Sequence, residues 1–170
     1  MHGLQAERGT SLTLAIRRRL ALVALAAFAL DLISKTLALT YLASSPRKIL
    51  GTFLQLDLTF NSGAAFNLAN SRTIFLTLFA FLVAAFILYY GRRITSNVWA
   101  YALGLILGGI FGNLSDRIFR APSALQGEVV DWIKVSHWPT FNLADTSIVL
   151  GAALIILLSA KSVKPIDRNS

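Results

Sequence analysis

The chain of 170 residues contains no cysteine. Disulfides, thiolate zinc sites, iron–sulfur clusters, a thiol nucleophile and lipid attachment to a cysteine of this chain are therefore excluded. Charge is also scarce: 14% of the residues are charged, against about 25% in soluble domains. Acids are the scarcer sign, with eight Asp and Glu against sixteen Lys and Arg. The two histidines are His2, in the N-terminal tail, and His137. No His-Glu-x-x-His motif is present, which argues against a zinc hydrolase. No Ser–His–Asp set can be assembled unless His137, the one histidine outside the tail, reaches the site, and neither it nor its neighbour Ser136 lies in a span. No Gly-rich phosphate loop is present either. What is abundant is apolar surface, with 55% hydrophobic residues and a mean hydropathy of +0.64. Together these values exclude a disordered chain, a collagen-like repeat and an ordinary soluble enzyme.

Four apolar segments are long enough to cross a bilayer, which takes about 20 helical residues. They are residues 20–42, 73–90, 97–115 and 141–160. The first begins like a signal peptide, since Arg17–Arg19 precede eleven apolar residues, Leu20–Leu30. However, the hydrophobic run resumes after Asp31 and no small-x-small cleavage site follows, which favours a span. The sixteen basic residues sit mostly in short clusters beside the apolar runs, as at the flanks of membrane helices, and this is not the pattern of a nucleic-acid surface. The segments 1–19, 91–96 and 161–170 hold nine Lys and Arg in 35 positions, whereas the loops 43–72 and 116–140 hold six in 55. The bias predicts cytoplasmic termini and two long outer loops.

Both outer loops carry strand patterns. Leu54, Leu56, Leu58 and Phe60 alternate with Gln55, Asp57 and Thr59. Val129, Asp131, Ile133 and Val135 alternate with Val130, Trp132 and Lys134. Asn61-Ser62-Gly63 reads as a turn, with Ala64–Ala69 as a candidate return strand. The expected fold is a single integral membrane domain over residues 1–170. It is a membrane all-α bundle of four transmembrane helices with a small extracytoplasmic β-sheet on the outer membrane face. Tyr41, Trp132 and Trp138 stand where interfacial aromatics belong.

A charge within a span is costly and usually marks function. Here nine polar residues converge on one level, the outer border: Asp31, Lys35, Asn61, Asn113, Asp116, Arg117, Asp131, Asn142 and Asp145. The inner halves of the spans carry almost nothing ionisable. Asp31 and Lys35 are four apart, acid first, and so are Asn113 and Arg117, while Asn142 and Asp145 are three apart. Simpler readings stand beside the functional ones. Asp31–Lys35 serves as a structural ion pair, Asp116–Arg117 ends a helix and pairs within the bundle, Asn61 is a turn residue, Asp57 is a solvated strand face and His137 is a surface residue.

The chemistry that remains is that of carboxylates. Asp131 and Asp145 both lie at the outer border in apolar frames. Two carboxylates held close share one proton and can act as base and acid on a water molecule. The same pair can instead form a cation site or a proton relay in a transporter.

Five motifs resolve the choice: Asp31-Leu32-Ile33-Ser34-Lys35, Asn61-Ser62-Gly63-Ala64-Ala65-Phe66, the run Gly108–Ile118 with Asn113, Asp116 and Arg117, Val129-Val130-Asp131-Trp132-Ile133, and the run Phe141–Ile148 with Asn142 and Asp145. In this order, and spread over most of the chain, they resemble the bacterial lipoprotein signal peptidase (signal peptidase II) family of integral membrane aspartyl peptidases. The resemblance implies removal of the signal peptide from diacylglyceryl-modified prolipoproteins by cleavage just before the lipidated Cys. It implies catalysis by Asp131 and Asp145. It implies that Asn61, Asn113, Arg117 and Asn142 line the site and hold substrate, with Asp31, Lys35 and Asp116 as framework. No cofactor and no metal are implied. The partners would be prolipoproteins and membrane lipids, with no nucleic acid, and the place a bacterial cell membrane with the site at the outer leaflet. Two departures stand out. The stretch Phe119–Glu128 is longer than in the shortest family members, and Trp132 stands where Phe is common.

Overall fold

The computed structural model describes residues 2–63 and 69–166. Four helices carry the chain back and forth: α1 (His2–Tyr41), α2 (Ala69–Gly91), α3 (Asn97–Phe119) and α4 (Leu143–Ala160). Each is long and apolar enough to cross a membrane, α1 from Thr13 onward. Both α1 and α3 extend beyond the stretches expected from hydropathy. Arg17–Arg19 lie within α1, and Asp116 and Arg117 lie within the last turns of α3 rather than after it. The helix tolerates the charges of Asp116 and Arg117 because their partners are built into the bundle, as described below.

The interior is narrow. Ile16, Leu20, Ala24, Ala84, Ile87, Leu103, Leu107 and Ile110 pack as one core along α3. The outward faces keep large apolar residues exposed, such as Phe79, Leu82, Phe86 and Ile156. A soluble protein avoids an apolar exterior of this extent, whereas a bilayer covers it.

Glycines let α3 sit at the centre. Gly104, Gly108 and Gly112 recur every four residues and face α1. A Cβ on Gly104 would lie 2.8 Å from the Leu20 carbonyl, and one on Gly108 would press on the Ala24 carbonyl and lie 2.7 Å from Ala27 Cβ. On the other side, Gly109 faces the Ala144 carbonyl, and Gly151 of α4 faces Ala102 and Ile106. Small residues at such spacing let membrane helices approach until their backbones touch.

Three strands, β1 (Arg47–Leu50), β2 (Leu54–Asn61) and β3 (Val129–Val135), form an antiparallel sheet in that order. It lies at the end of the bundle where α1 and α3 finish and α2 and α4 begin. β1 was not foreseen. It is a short, exposed edge strand, joined to β2 by a turn in which Gly51 takes φ +56°. The return strand read at Ala64–Ala69 lies outside the described residues as far as 68, and Ala69 opens α2. β2 takes its partners from β1 and β3 instead. After β3 the chain doubles back, so that Phe141 bridges to Ile133 and delivers Asn142 beside Asp131.

The opposite end holds the basic clusters. Arg17 donates to the Arg92 carbonyl (2.6 Å), Arg19 to Asn97 Oδ1 (2.5 Å) and Trp99 Nε1 to the Val163 carbonyl (2.9 Å).

Gly108→Val should separate α1 from α3. Overpacking costs about 1–3 kcal/mol, and the backbone contact at Gly108 places this site at the upper end. The expected outcome is a clear drop in the thermal midpoint in detergent. An unchanged midpoint would show that the α1–α3 approach does not depend on this glycine.

Candidate active site

Asp31 and Lys35 lie one turn apart on the inward face of α1, both fully buried. Lys35 Nζ lies 2.7 Å from Asp31 Oδ2, as the i,i+4 spacing anticipates, and 2.8 Å from Asp116 Oδ2 of α3. Asp116 also pairs with Arg120 one turn on. Lys35 further donates to Asn113 Oδ1 at 3.1 Å. Asn113 turns its amide nitrogen to Asp145 Oδ1 at 2.8 Å. The bundle ion pair expected from sequence is thus a lysine between two acids, with a side-chain amide leading on toward Asp145.

Asn142 caps α4 and joins the two remaining aspartates. Its Oδ1 accepts the Asp145 N–H (2.9 Å), while Asp145 Oδ2 accepts the Asn142 N–H (3.3 Å), a reciprocal capping box. Its Nδ2 donates to Asp131 Oδ1 at 2.7 Å and reaches Asn113 Oδ1 at 3.1 Å. Asn61, at the end of β2, donates to Asp131 Oδ2 at 2.9 Å. The same Asn61 accepts the Gly63 N–H, so it is a turn residue and a site residue at once. Eight of the nine polar residues singled out in the sequence are therefore joined in one network, and Arg117 lines the cleft beside it. Asp57 does not join them: it pairs with Lys134 across the sheet at 2.9 Å, partly exposed. His137 lies exposed in a turn.

The meeting point opens into a cleft of about 220 Å³ between α2 and α4, floored by α3. Asn61, Asn113, Arg117 and Asp145 line it, with Leu76 and Ile148 as apolar walls. Arg117 is nearly buried. It gives one N–H to the Gly127 carbonyl (3.1 Å) and faces the charges of Asp131, Asp116 and Asp145. Asp131 is 1% exposed. Burial lifts its pKa to about 6, the Asp145 charge adds to the rise, and the Asn61 and Asn142 amides oppose it. Among the described residues, no group of three or more His, Cys, Asp or Glu is placed to hold a metal.

Two elements of the frame had no signal in the sequence. Thr77 donates to the Leu125 carbonyl (2.9 Å) and Thr73 to the Ser62 carbonyl (2.6 Å), so α2 holds both loops that flank the cleft. A threonine in an apolar span reads as filler, and only its partner reveals the tie. The stretch Phe119–Glu128 folds back on α3 through the Gly127 N–H to the Arg117 carbonyl (3.0 Å).

Asp131 and Asp145 thus stand joined through the amides of Asn113 and Asn142 at the mouth of a bundle of helices apolar enough to cross a membrane. The comparisons carry this to a family. Residues 23–161 match the family model described as signal peptidase (SPase) II. A lipoprotein signal peptidase of Mycobacterium avium (strain 104) is 48% identical over 143 residues, covering 84% of this chain and 79% of that protein. One from Rhodococcus jostii (strain RHA1) is 43% identical over 152 residues, covering 88% and 77%. Two bacterial membrane enzyme structures determined by the in meso method share the fold. The one at 2.3 Å has a TM-score of 0.72 at 24% identity, over 86% of this chain and 90% of that one. The one at 1.9 Å has a TM-score of 0.71 at 26% identity, over 81% and 90%. The chain belongs to the signal peptidase II family of aspartic-type lipoprotein signal peptidases, multi-pass proteins of bacterial membranes.

Asn142→Ala removes the cap of α4 and one donor to a buried carboxylate together. Losing such a cap costs about 0.5–2 kcal/mol, and stranding a buried acceptor adds about 1–3 kcal/mol. Thermal unfolding in detergent should show a loss within the sum of these ranges. A loss below about 0.5 kcal/mol would mean that the capping box does not hold the start of α4.

Proposed function

We propose that Asp131 and Asp145 are the catalytic pair, and that they remove the signal peptide from diacylglyceryl-modified prolipoproteins by cutting just before the lipidated Cys. The observation that carries this reading is the position of Asn142, whose side chain holds Asp131 and whose backbone holds Asp145, at a cleft open between two spans. The raised pKa of Asp131 favours a pair that holds one proton. The ionised carboxylate takes a proton from water as the water oxygen attacks the scissile carbonyl. The protonated carboxyl gives its proton to the carbonyl oxygen, and a neutral tetrahedral diol results. The newly protonated carboxyl then gives its proton to the leaving nitrogen, the ionised carboxylate takes a proton from a diol hydroxyl as the C–N bond breaks and a carboxyl product forms, and the pair is again singly protonated.

Asn61, Asn113, Arg117 and Asn142 hold the substrate backbone in this reading. Arg117 keeps guanidinium donors beyond the one spent on Gly127 and lines the cleft. The scissile bond lies beside a lipid in the outer leaflet, which puts the sheet end of the bundle outside and both termini in the cytoplasm. The basic clusters at the opposite end support that orientation. The modified cysteine belongs to the substrate, since this chain has none.

Asp131→Asn and Asp145→Asn keep side-chain shape but cannot act as base. Either change alone should bring cleavage of a diacylated prolipoprotein peptide to the assay floor, while fold and substrate binding survive. The double variant should be no worse than either single one, because the two act as a unit. Activity within about tenfold of the parent, roughly 1.4 kcal/mol, in either single variant would overturn the assignment.

The pH profile gives a second test. As pH rises through about 6, Asp131 gives up its proton, the pair loses the proton it shares and cleavage falls. The alkaline limb of kcat/KM, which reports the free enzyme, should be centred near that value. The limb of kcat should lie higher, because bound substrate expels water and disfavours the second charge. A kcat/KM that stays flat to pH 9 would contradict a pair sharing one proton.

A further inference from the structure

Resting on the assignment of Asp131 and Asp145 above, we propose that the buried Asp31–Lys35–Asp116 cluster is a gauge that fixes the separation of those two carboxylates, with Lys35 as its positioning residue. The two acids on either side of Lys35 do the same thing to different strands of the site. Asp31 meets Lys35 through Oδ2 and accepts the Ala144 N–H on Oδ1 at 2.8 Å. Ala144 immediately precedes Asp145. Asp116 Oδ2 meets Lys35 and accepts the Val130 N–H at 3.2 Å. Val130 immediately precedes Asp131. Each dyad member is thus held by the peptide N–H just ahead of it, and both N–H groups end on carboxylates that clasp the same ammonium.

A third leg runs through a side chain. Lys35 donates to Asn113 Oδ1, which leaves Nδ2 of that amide facing Asp145. Because the ammonium can only donate, it allows one orientation of the Asn113 amide and excludes the flipped one.

Every charged member of the gauge is at most 2% exposed. In such a setting charge-assisted contacts are short and strong, and water cannot replace a missing partner. A cluster serving stability alone has no reason to place both backbone contacts one residue ahead of the two aspartates. The separation matters because two carboxylates share a proton only while they are close, and a misplacement of about 1 Å costs on the order of a hundredfold in rate.

Gly112 offers an independent handle. A Cβ there would lie 2.5 Å from Asp31 Oδ2 and 3.1 Å from Ala144 Cβ. Gly112→Ala therefore pushes on the Asp31 arm while leaving every charge in place.

The test compares the full chain in lipid nanodiscs with Lys35→Met, Gly112→Ala and the exposed-pair control Asp57→Asn. Cleavage of a diacylated prolipoprotein peptide is followed as kcat, KM and a full pH profile, with thermal unfolding measured alongside. The charged groups facing the dyad are Arg117 from α3 and Lys35 from α1, with Asp31 and Asp116 behind them and Glu128 beside Arg117. Loss of the Lys35 charge alone would move both limbs of the profile upward together and preserve the width of the bell. Loss of spacing weakens the coupling of the two carboxylates and draws the limbs together. Lys35→Met and Gly112→Ala should both lower kcat by about tenfold or more and narrow the bell, with KM changed less than about twofold; Asp57→Asn should change none of these. If Lys35→Met does not fold, Gly112→Ala decides. A folded variant of either kind with parental kcat and parental bell width overturns the gauge. That result is distinct from failure of the catalytic assignment, which would appear as cleavage by Asp131→Asn or Asp145→Asn.

Discussion

An ammonium held between two carboxylates, all out of reach of water, is the interaction on which the rest of the polar end depends. Lys35 cannot shed its partners piecemeal. Removing one member of a buried ion pair costs about 3–5 kcal/mol, because the other charge is left uncompensated. The cluster also spans separate parts of the chain: Asp31 and Lys35 come from α1 and Asp116 from α3. Its outer contacts reach the start of α4 and the start of β3. The ion cluster needs α1 and α3 in register, and its remaining acceptor capacity is filled by the two outer segments. The glycine face of α3 makes that register possible, since Gly104, Gly108 and Gly112 bring the α1 backbone close enough for Asp31 to lie against Gly112.

Much of this was legible in the sequence because the membrane makes its demands visible. An apolar span needs about 20 residues, and a charge inside one needs a reason, so the helices and the polar level both stood out. The i,i+4 spacing of Asp31 and Lys35 named a real ion pair, but not the third charge, because contacts between helices leave no spacing to read. Hydropathy placed the end of the third span at Ser115, whereas α3 continues to Phe119. The pattern fails there for a physical reason: Asp116 and Arg117 are polar by composition and buried by partnership. β1 escaped notice because Arg47-Lys48-Ile49-Leu50 is exposed along its length and has no alternation to betray it. Asp57 was read as a solvated strand residue, and its partly exposed pairing with Lys134 is close to that reading.

The site separates what is held firmly from what is left open. The peptide segments bearing Asp131 and Asp145 are gripped from below by the buried acids and from the side by Asn142. The cleft above them is walled by α2, which packs chiefly against α3 and carries Leu76 toward the opening. Among the described residues, Thr73 and Thr77 of α2 tie it to the site through hydroxyls on loop carbonyls. Neutral hydrogen bonds of this kind contribute about 0.5–1.5 kcal/mol net each, several times less than the loss of a buried charge partner. These two ties at the wall of the cleft are thus weaker, each for each, than the ion-paired contacts at its floor. A substrate that arrives as an apolar helix from the bilayer needs that asymmetry. In the proposed reading the helix enters the cleft between α2 and α4, and the two proposed catalytic carboxylates keep their spacing while it does so. Among the described residues the ion-paired contacts lie below the two proposed catalytic carboxylates and the neutral hydroxyl ties beside the cleft above them, an arrangement that fits a fixed pair beneath an adjustable wall.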